Sequence, residues 1–467
     1  MADNDTNASP TPVSKRHWRR WLRWTIRIVV VLAVTLGLAY AIWNYRAASA
    51  LRAEIDRIRA AGEPTTFAEL AAGQRAVDRE RDAAPFYAAA LELLYPVEQD
   101  ELDVAQALLE GPVTPEALAQ AERVLERNRL ALELLDRGSA MPQCAGDLGL
   151  RHGIGALLPR LNDTRALAQH NSIRTRMLAV QGKAVEAVDS AIASLRLTRM
   201  LDRQPILVAQ LVKMGCAAMA VRDIQVILNN TRPDHAELAR LGVELAAVEA
   251  SSDLHRLMLA ERVYALEMMR NLMARERQLE SAQVTSHDEP SALAPNVPFP
   301  ERWPVGNISA FSRTMALGLL QTHGRLIDAA TRPYPQVVDA FNSVEAPAGY
   351  AGVLGQVLLP AMRAAVVNNG NMLAQVRSAR AALMVERYRL AQGGLPDSLA
   401  DLPGDAGASL LNDPFTGQGL VYRKTPDGYV IFSLGADKQK NPDEPLNRGR
   451  PGDWGIRVEH RLAPRKS

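Results

Sequence analysis

The sequence predicts a mainly α-helical protein. A single N-terminal transmembrane helix leads into a large domain of helical hairpins, and a small β-hairpin module closes the chain. Three observations predict this. Ile28 to Tyr45 is a run of 18 residues without charge, preceded by a basic, tryptophan-rich segment. Elsewhere Ala, Leu and Arg dominate and aromatic residues make up only 5% of the 467, a composition of packed helices rather than of β-sandwiches. After Gly394 the apolar spacing changes from helical to alternating. The expected divisions are a basic tail 1–24, an anchor 25–45, a helical domain 46–392, a β module 393–459 and a tail 460–467.

The anchor comes first. Its uncharged run is slightly short of the ~20 residues a spanning helix needs. Thr25 and Ile26 lengthen it past Arg27, whose long stem reaches back to the headgroups. Trp21 and Trp24 stand at one end, Tyr40, Trp43 and Tyr45 at the other, where a bilayer's two interfaces favour aromatic rings. Lys15, Arg16, Arg19, Arg20, Arg23 and Arg27 precede the apolar run. That basic excess predicts a cytoplasmic N-terminus and everything after Tyr45 exported. Ala48-Ser49-Ala50 has the small-x-small form of a signal-peptidase site. The bulky approach Trp43-Asn44-Tyr45-Arg46 and the helical spacing of Leu51, Ile55 and Ile58 beyond it favour an uncleaved anchor.

Charge narrows the partners. The chain has 54 basic and 52 acidic residues, a net charge of +2, and six of the basic ones flank the membrane span. The exported part is therefore near neutral, which argues against a nucleic-acid partner. The bilayer, through residues 25–45, and another envelope protein are the expected partners. Two cysteines, Cys144 and Cys216, form no disulfide framework, and two free thiols are favoured over a bond between them.

The helical domain starts with a stalk, 47–61, ended by Gly62-Glu63-Pro64. Thr66 with Glu69 reads as a capping box for a short helix. A helix begins at Asp82 and runs through Leu94. Thr114-Pro115-Glu116 opens another, with Thr as N-cap and Pro in the first turn, running to Arg137 and stopping at Gly138. Helical signals are nearly continuous from Asn162 to Asn230. Within them Gly182, Ala187, Ala191 and Ser194 have the small-residue spacing of the second helix of a tetratricopeptide-like hairpin. Arg174 and Thr175 occupy places where such a repeat carries aromatic or leucine side chains, and no second copy follows. The expectation is a hairpin within a solenoid-like stack, without a true repeat array. A long helix is expected over Ser252–Leu279, a proline-rich loop over 285–305, and a last helix over Leu358–Gln392, with Val376, Ala379, Leu383 and Leu390 on one face and Gly393-Gly394 as terminator.

Beyond it, Gly419–Lys424 and Tyr429–Leu434 are β-rich runs joined by Thr425-Pro426-Asp427-Gly428, a hairpin turn. A third strand is expected at Ile456–Val458. An isolated hairpin is marginal, so this one should pack on the long helix ending at Gln392.

These residues carry a resemblance. Gly393-Gly394-Leu395-Pro396-Asp397-Ser398-Leu399, then Asp413-Pro414-Phe415-Thr416-Gly417, Tyr422, Gly428-Tyr429 and Ser433-Leu434-Gly435-Ala436-Asp437 resemble the C-terminal part of the major pseudopilins of type II secretion. The tail is similar also to that of uncharacterised membrane-anchored helical proteins of bacteria, which share the Gly62-Glu63-Pro64 element after the anchor; this broader group is the better match. The pseudopilin resemblance implies a long helix carrying strands and a last loop that helps hold calcium. The chain departs from that family at its N-terminus, which lacks a prepilin cleavage site, and at Lys438, where a glycine is usual.

That last loop is the best constellation for chemistry. Asp437, Asn441, Asp443 and Glu444 are hard oxygen ligands suited to Ca²⁺, but Lys438 and Lys440 oppose a cation and a solvated polar loop is the favoured reading. Asp413-Pro414-Phe415-Thr416-Gly417 reads as a structural turn, with Phe415 plugging the hairpin onto the helix. The histidines show no metal spacing, and no nucleophile elbow, phosphate loop or dinucleotide fingerprint is present. The expected function is non-enzymatic binding of another envelope protein. An envelope hydrolase with its site between Thr285 and Tyr350, and an accessory of a secretion or pilus-like machine, are the alternatives.

Overall fold

The structure, a computed structural model, describes residues 15–72, 76–96, 108, 114–146, 154–204, 206–285, 310–402, 411–439 and 454–460. It is mainly helical, with one long apolar N-terminal helix and a small antiparallel sheet near the C-terminus. Helix α1, Lys15–Ala60, runs for 46 residues, roughly 69 Å at 1.5 Å per residue. From Ile26 to Trp43 every side chain is exposed. The helix is long and apolar enough there to cross a membrane.

Its remainder is not a free stalk. Ala47, Ala48, Leu51, Ile55 and Ile58 are buried. Leu51, Ile55 and Ile58 join a core cluster with Ala265, Leu266 and Met269 of α10 (Leu254–Thr285) and Ala316, Leu319 and Leu320 of α11 (Ala310–Ala330). The charged residues Arg52, Asp56, Arg57 and Arg59 of this stretch are exposed, and Arg57 pairs with Glu54 at 2.6 Å. Arg313 of α11 donates to the backbone oxygen of Asn44 and to its Oδ1 at 2.6 Å. Thus the folded domain begins within a turn of the end of the apolar run. Past the helix, buried Arg262 donates to Glu63 at 2.5 Å and fastens the Gly62-Glu63-Pro64 exit.

Short helices α2 (Phe67–Ala72) and α3 (Ala84–Glu92) follow. At α2 the capping is offset from the expected box: Thr66 Oγ1 accepts from the Glu69 amide, but the Glu69 carboxylate reaches back to Thr65. Thr114 caps α4 (Pro115–Arg127) through the amide of Ala117, as its sequence implies. The expected single helix breaks at Asn128, and α5 spans Arg129–Ser139. Gly138 does not stop it. It is a packing glycine, because a Cβ there would lie 2.5 Å from Cε1 of Tyr87.

The continuous helical stretch divides into α6 (Ile154–Val180), α7 (Ala184–Leu197), a single turn Arg199–Asp202, and α8 (Leu207–Asn230). Gly182, at φ +75°, makes the bend between α6 and α7. Ala187, Ala191 and Ser194 are buried against α6. Polar contacts seal the pair where a repeat would place large apolar groups. Asn171 donates to Ser190 O at 2.8 Å and Ser194 Oγ at 2.7 Å, and Thr175 shares a 2.7 Å bond with Ser190 Oγ. Across the pair, buried Asp223 of α8 accepts from Ser172 and Arg176, each at 2.7 Å. Helix α9 (His235–Ala250) starts with a capping box, Asp234 with Glu237.

Helices α12 (Tyr334–Asn342) and α13 (Val353–Gln392) complete the domain. The last helix starts earlier than its sequence suggests and continues through Pro360. Gly393 ends it at φ +77°. Val376, Ala379 and Leu383 enter the largest core cluster with Val188 of α7, Ile224 of α8 and Leu241 of α9. Leu390, of the same expected face, is exposed because the core has ended by that turn. The sheet order is β1 (Val421–Thr425), β2 (Gly428–Ser433), β3 (Trp454–Glu459), all antiparallel. Tyr429, Ile431, Ile456 and Val458 join that same core, so the β module is a wall of the helical domain and not a separate unit. The expected proline-rich loop lies outside the described residues from 286 to 309.

Candidate functional site

A cleft of about 400 Å³ opens where the C-terminal end of α7 faces the C-terminal end of α9. Thr198, Arg199, Asp202 and Arg203 come from the turn after α7; Glu244, Ala247 and Ser251 come from α9 and its cap. The opposite wall is Val77 and the strap Pro142-Gln143-Cys144. The strap is held by the backbone. Ala83 N donates to Gln143 O at 2.9 Å, Gln143 N to Arg81 O at 3.2 Å, and Asp82 Oδ1 accepts from Ala145 N at 2.7 Å. Gln204 Nε2 closes it by donating to Gly146 O at 2.5 Å.

Ion pairs line the floor. Glu244, buried, is clamped by two arginines: Arg196 reaches its Oε1 at 2.7 and 2.8 Å, and Arg199 its Oε2 at 2.5 Å. Arg196 also donates to Ser139 O at 2.8 Å. Lys213, buried on α8, lies 2.6 Å from Asp202 and donates to Ser251 O at 3.1 Å and Oγ at 2.8 Å. Cys144 is a free thiol, as is Cys216. Burial pushes the Cys144 thiol up to about 12, so it is protonated at neutral pH and is no nucleophile. Both carboxylates are engaged by cations and the sulfur is neutral.

The residues singled out from sequence lie elsewhere. Asp437 Oδ1 accepts from the Gln439 amide at 3.0 Å, closing its own turn. Asn441, Asp443 and Glu444 lie outside the described residues. Among the described residues no group of three or more His, Cys, Asp or Glu side chains is placed to hold a metal ion. Asp413 is structural: its carboxylate accepts from Phe415 N and Leu434 N, each at 2.8 Å, and from Ser433 Oγ at 2.9 Å. In the stretch Thr285–Tyr350 the described part holds His323, whose Nδ1 contacts Leu319 O at 2.9 Å. Burial pushes it down to about 4, leaving it neutral.

Sequence reasoning missed the cleft. Its arginines and acids are spread over residues 196 to 244 on different helices, and each resembles an ordinary solvated charge. One local signal was available: Arg196, Arg199 and Arg203 recur at three- and four-residue spacing, which aligns them on one helical face.

The fold and cleft together define a class: a helical protein with an exposed apolar N-terminal helix, a small C-terminal sheet and a polar, ion-paired cleft. Comparison with protein-family models, curated proteins and solved structures gives no match to this chain.

Proposed function

We propose that this chain is a single-pass bacterial envelope protein of the inner membrane. Its N-terminus lies in the cytoplasm, its helical domain in the periplasm, and it works by binding another envelope protein rather than by catalysis. The observation that carries the reading is α1, whose apolar run is exposed on every side while the next turns of the same helix are core. In water that much exposed apolar surface would drive association; in a bilayer it is satisfied, and the basic flank Arg19–Arg27 sets the orientation. The buried Ala47 and Ala48 support an uncleaved anchor, since a cut after Ala50 would remove them from the packed domain. The α6–α7 hairpin and its neighbours support a tetratricopeptide-like, solenoid-like stack, an architecture that presents clefts to protein ligands. The cleft between α7 and α9 is the binding place.

Two measurements test this. An alkaline phosphatase fused after Ser467 should be active, and a cytosolic reporter there silent; the reverse result would overturn the topology. A photo-crosslinker at Ala247, at the cleft mouth, should yield a discrete protein adduct in cells. Adducts no different from those at Val243, exposed on α9 outside the cleft, would refute binding there.

A second reading, an accessory of a secretion or pilus-like machine, is favoured by a specific feature of the tail. The three strands pack on the end of the 40-residue α13, the long-helix-and-sheet plan that the pseudopilin resemblance implies.

A further inference from the structure

The cleft can be given a ligand class; this step rests on the binding reading above. Glu244, at 4% exposure, carries one negative charge and is held by two arginines, so the triad keeps one positive charge in excess. The excess is not spread evenly. Arg196 spends its guanidinium on Glu244 and Ser139. Arg199 gives Glu244 only one Nη2, remains about a third exposed, and finds no other acceptor among the described residues. It lines the cleft. Behind the lining, Lys213 is balanced by Asp202, and Arg203 is a second cation of the lining itself. A half-used guanidinium over a partly dehydrated cleft is suited to a second carboxylate, because its planar fork matches two oxygens.

The other walls limit what that carboxylate is attached to. Half-buried Val77 supplies an apolar patch on one wall of the cleft, and the almost fully buried Leu195 and Val248 back the wall facing it. A volume of about 400 Å³ lies in the range of small-ligand sites and suits a few residues of peptide. We propose that the cleft binds the free C-terminus of a partner polypeptide ending in an aliphatic residue, its carboxylate on Arg199 and its side chain against Val77, Leu195 and Val248.

The test is titration calorimetry on the full chain in detergent micelles, with two tetrapeptide pools ending in Val or Leu. One pool has free carboxylates and the other is amidated. The free-acid pool should bind about tenfold or more tightly than the amide, the share of one charge-assisted contact. Arg199→Gln should reduce the free acid to the level of the amide. Ala247→Asp should do the same by adding a carboxylate at an exposed cleft position, and so without any demand on folding. Arg240→Gln, which breaks a surface pair with Asp189, should bind as wild type. Equal binding of the two pools, no binding of either, or unchanged affinity in both Arg199→Gln and Ala247→Asp would overturn the proposal. So would displacement of the peptide by equimolar inorganic phosphate, which lacks the apolar part. An adduct at Ala247 in cells alongside indifference to the peptide carboxylate would sink this ligand class while leaving the binding reading intact.

Discussion

Asp413 and Phe415 show how a short loop can lock a module. Phe415 is buried and meets Tyr334 edge-on, with ring centroids 6.1 Å apart. It sits over Gly370 of α13, where a Cβ would collide with the ring and come 2.9 Å from the Tyr334 hydroxyl. Gly370→Ala should therefore lower stability by about 1–3 kcal/mol through overpacking, and Phe415→Ala by about 3–5 kcal/mol through the cavity it leaves. Both are read from urea unfolding of the purified protein. Glu261 makes a different prediction. It is buried on α10 and accepts the Leu207 amide at the start of α8. Burial raises its pKa from 4.5 to about 7, and the Leu207 amide only partly offsets this. A raised carboxyl is protonated in the folded chain while the unfolded chain ionises, so stability falls as pH rises from 4.5 towards 7. The loss should amount to roughly 3 kcal/mol. Glu261→Gln keeps an acceptor for Leu207 and cannot ionise. Its stability relative to wild type should rise by that amount across the window, and a flat difference would refute the assignment.

At the scale of elements, one buried carboxylate of α13 ties the β module to that helix alongside the apolar core the two share. Glu386 accepts from Tyr429 Oη and contacts His460 Nε2, both at 3.0 Å, and pairs with Arg389 at 2.7 Å. Burial alone would raise its pKa, but His460 and Arg389 outweigh that and hold it below the usual carboxyl value. A depressed carboxyl stabilises the fold above the unfolded value of 4.5, and the contribution is lost as pH falls below it. Glu386→Gln should cost about 3 kcal/mol at pH 7, the order for breaking a buried pair, and nothing once the wild-type group is protonated. Hydrogen exchange of the β3 amides at the two pH values reads the difference. Elements whose signals are local were legible in the sequence: the Thr114 cap, the Gly393 stop, and the hairpin turn, which falls at Pro426-Asp427 with Gly428, the first residue of β2, already paired to Thr425. The break at Asn128 and the role of Gly138 were not. Tyr87, which needs the space at Gly138, lies about fifty residues away, and no local preference encodes it.

For the whole molecule, the decisive feature is that the exposed apolar run and the packed domain share one helix. A chain beginning at Ala47 keeps Leu51, Ile55 and Ile58 and should be soluble and cooperatively folded. One beginning at Gly62 loses five buried residues, of which Leu51, Ile55 and Ile58 are each worth about 1.5–3 kcal/mol, together with the partner surface of α11. It should melt far lower or aggregate; equal melting temperatures for the two fragments would show that this part of α1 is dispensable. The bonds of Arg313 to Asn44 also leave the domain little freedom to swing away from the end of the apolar run. The sequence by itself determined the exposed apolar helix, the helical class, the boundaries marked by Thr, Pro and Gly, and the terminal hairpin, because each is written in residues that are neighbours along the chain. Only the tertiary structure decided that the apparent stalk is core, that the β module is part of the helical domain, and that Arg196, Arg199 and Glu244 meet in a cleft. Those outcomes depend on which faces of distant helices are pressed together, and burial of a shared surface leaves no mark on either stretch read alone.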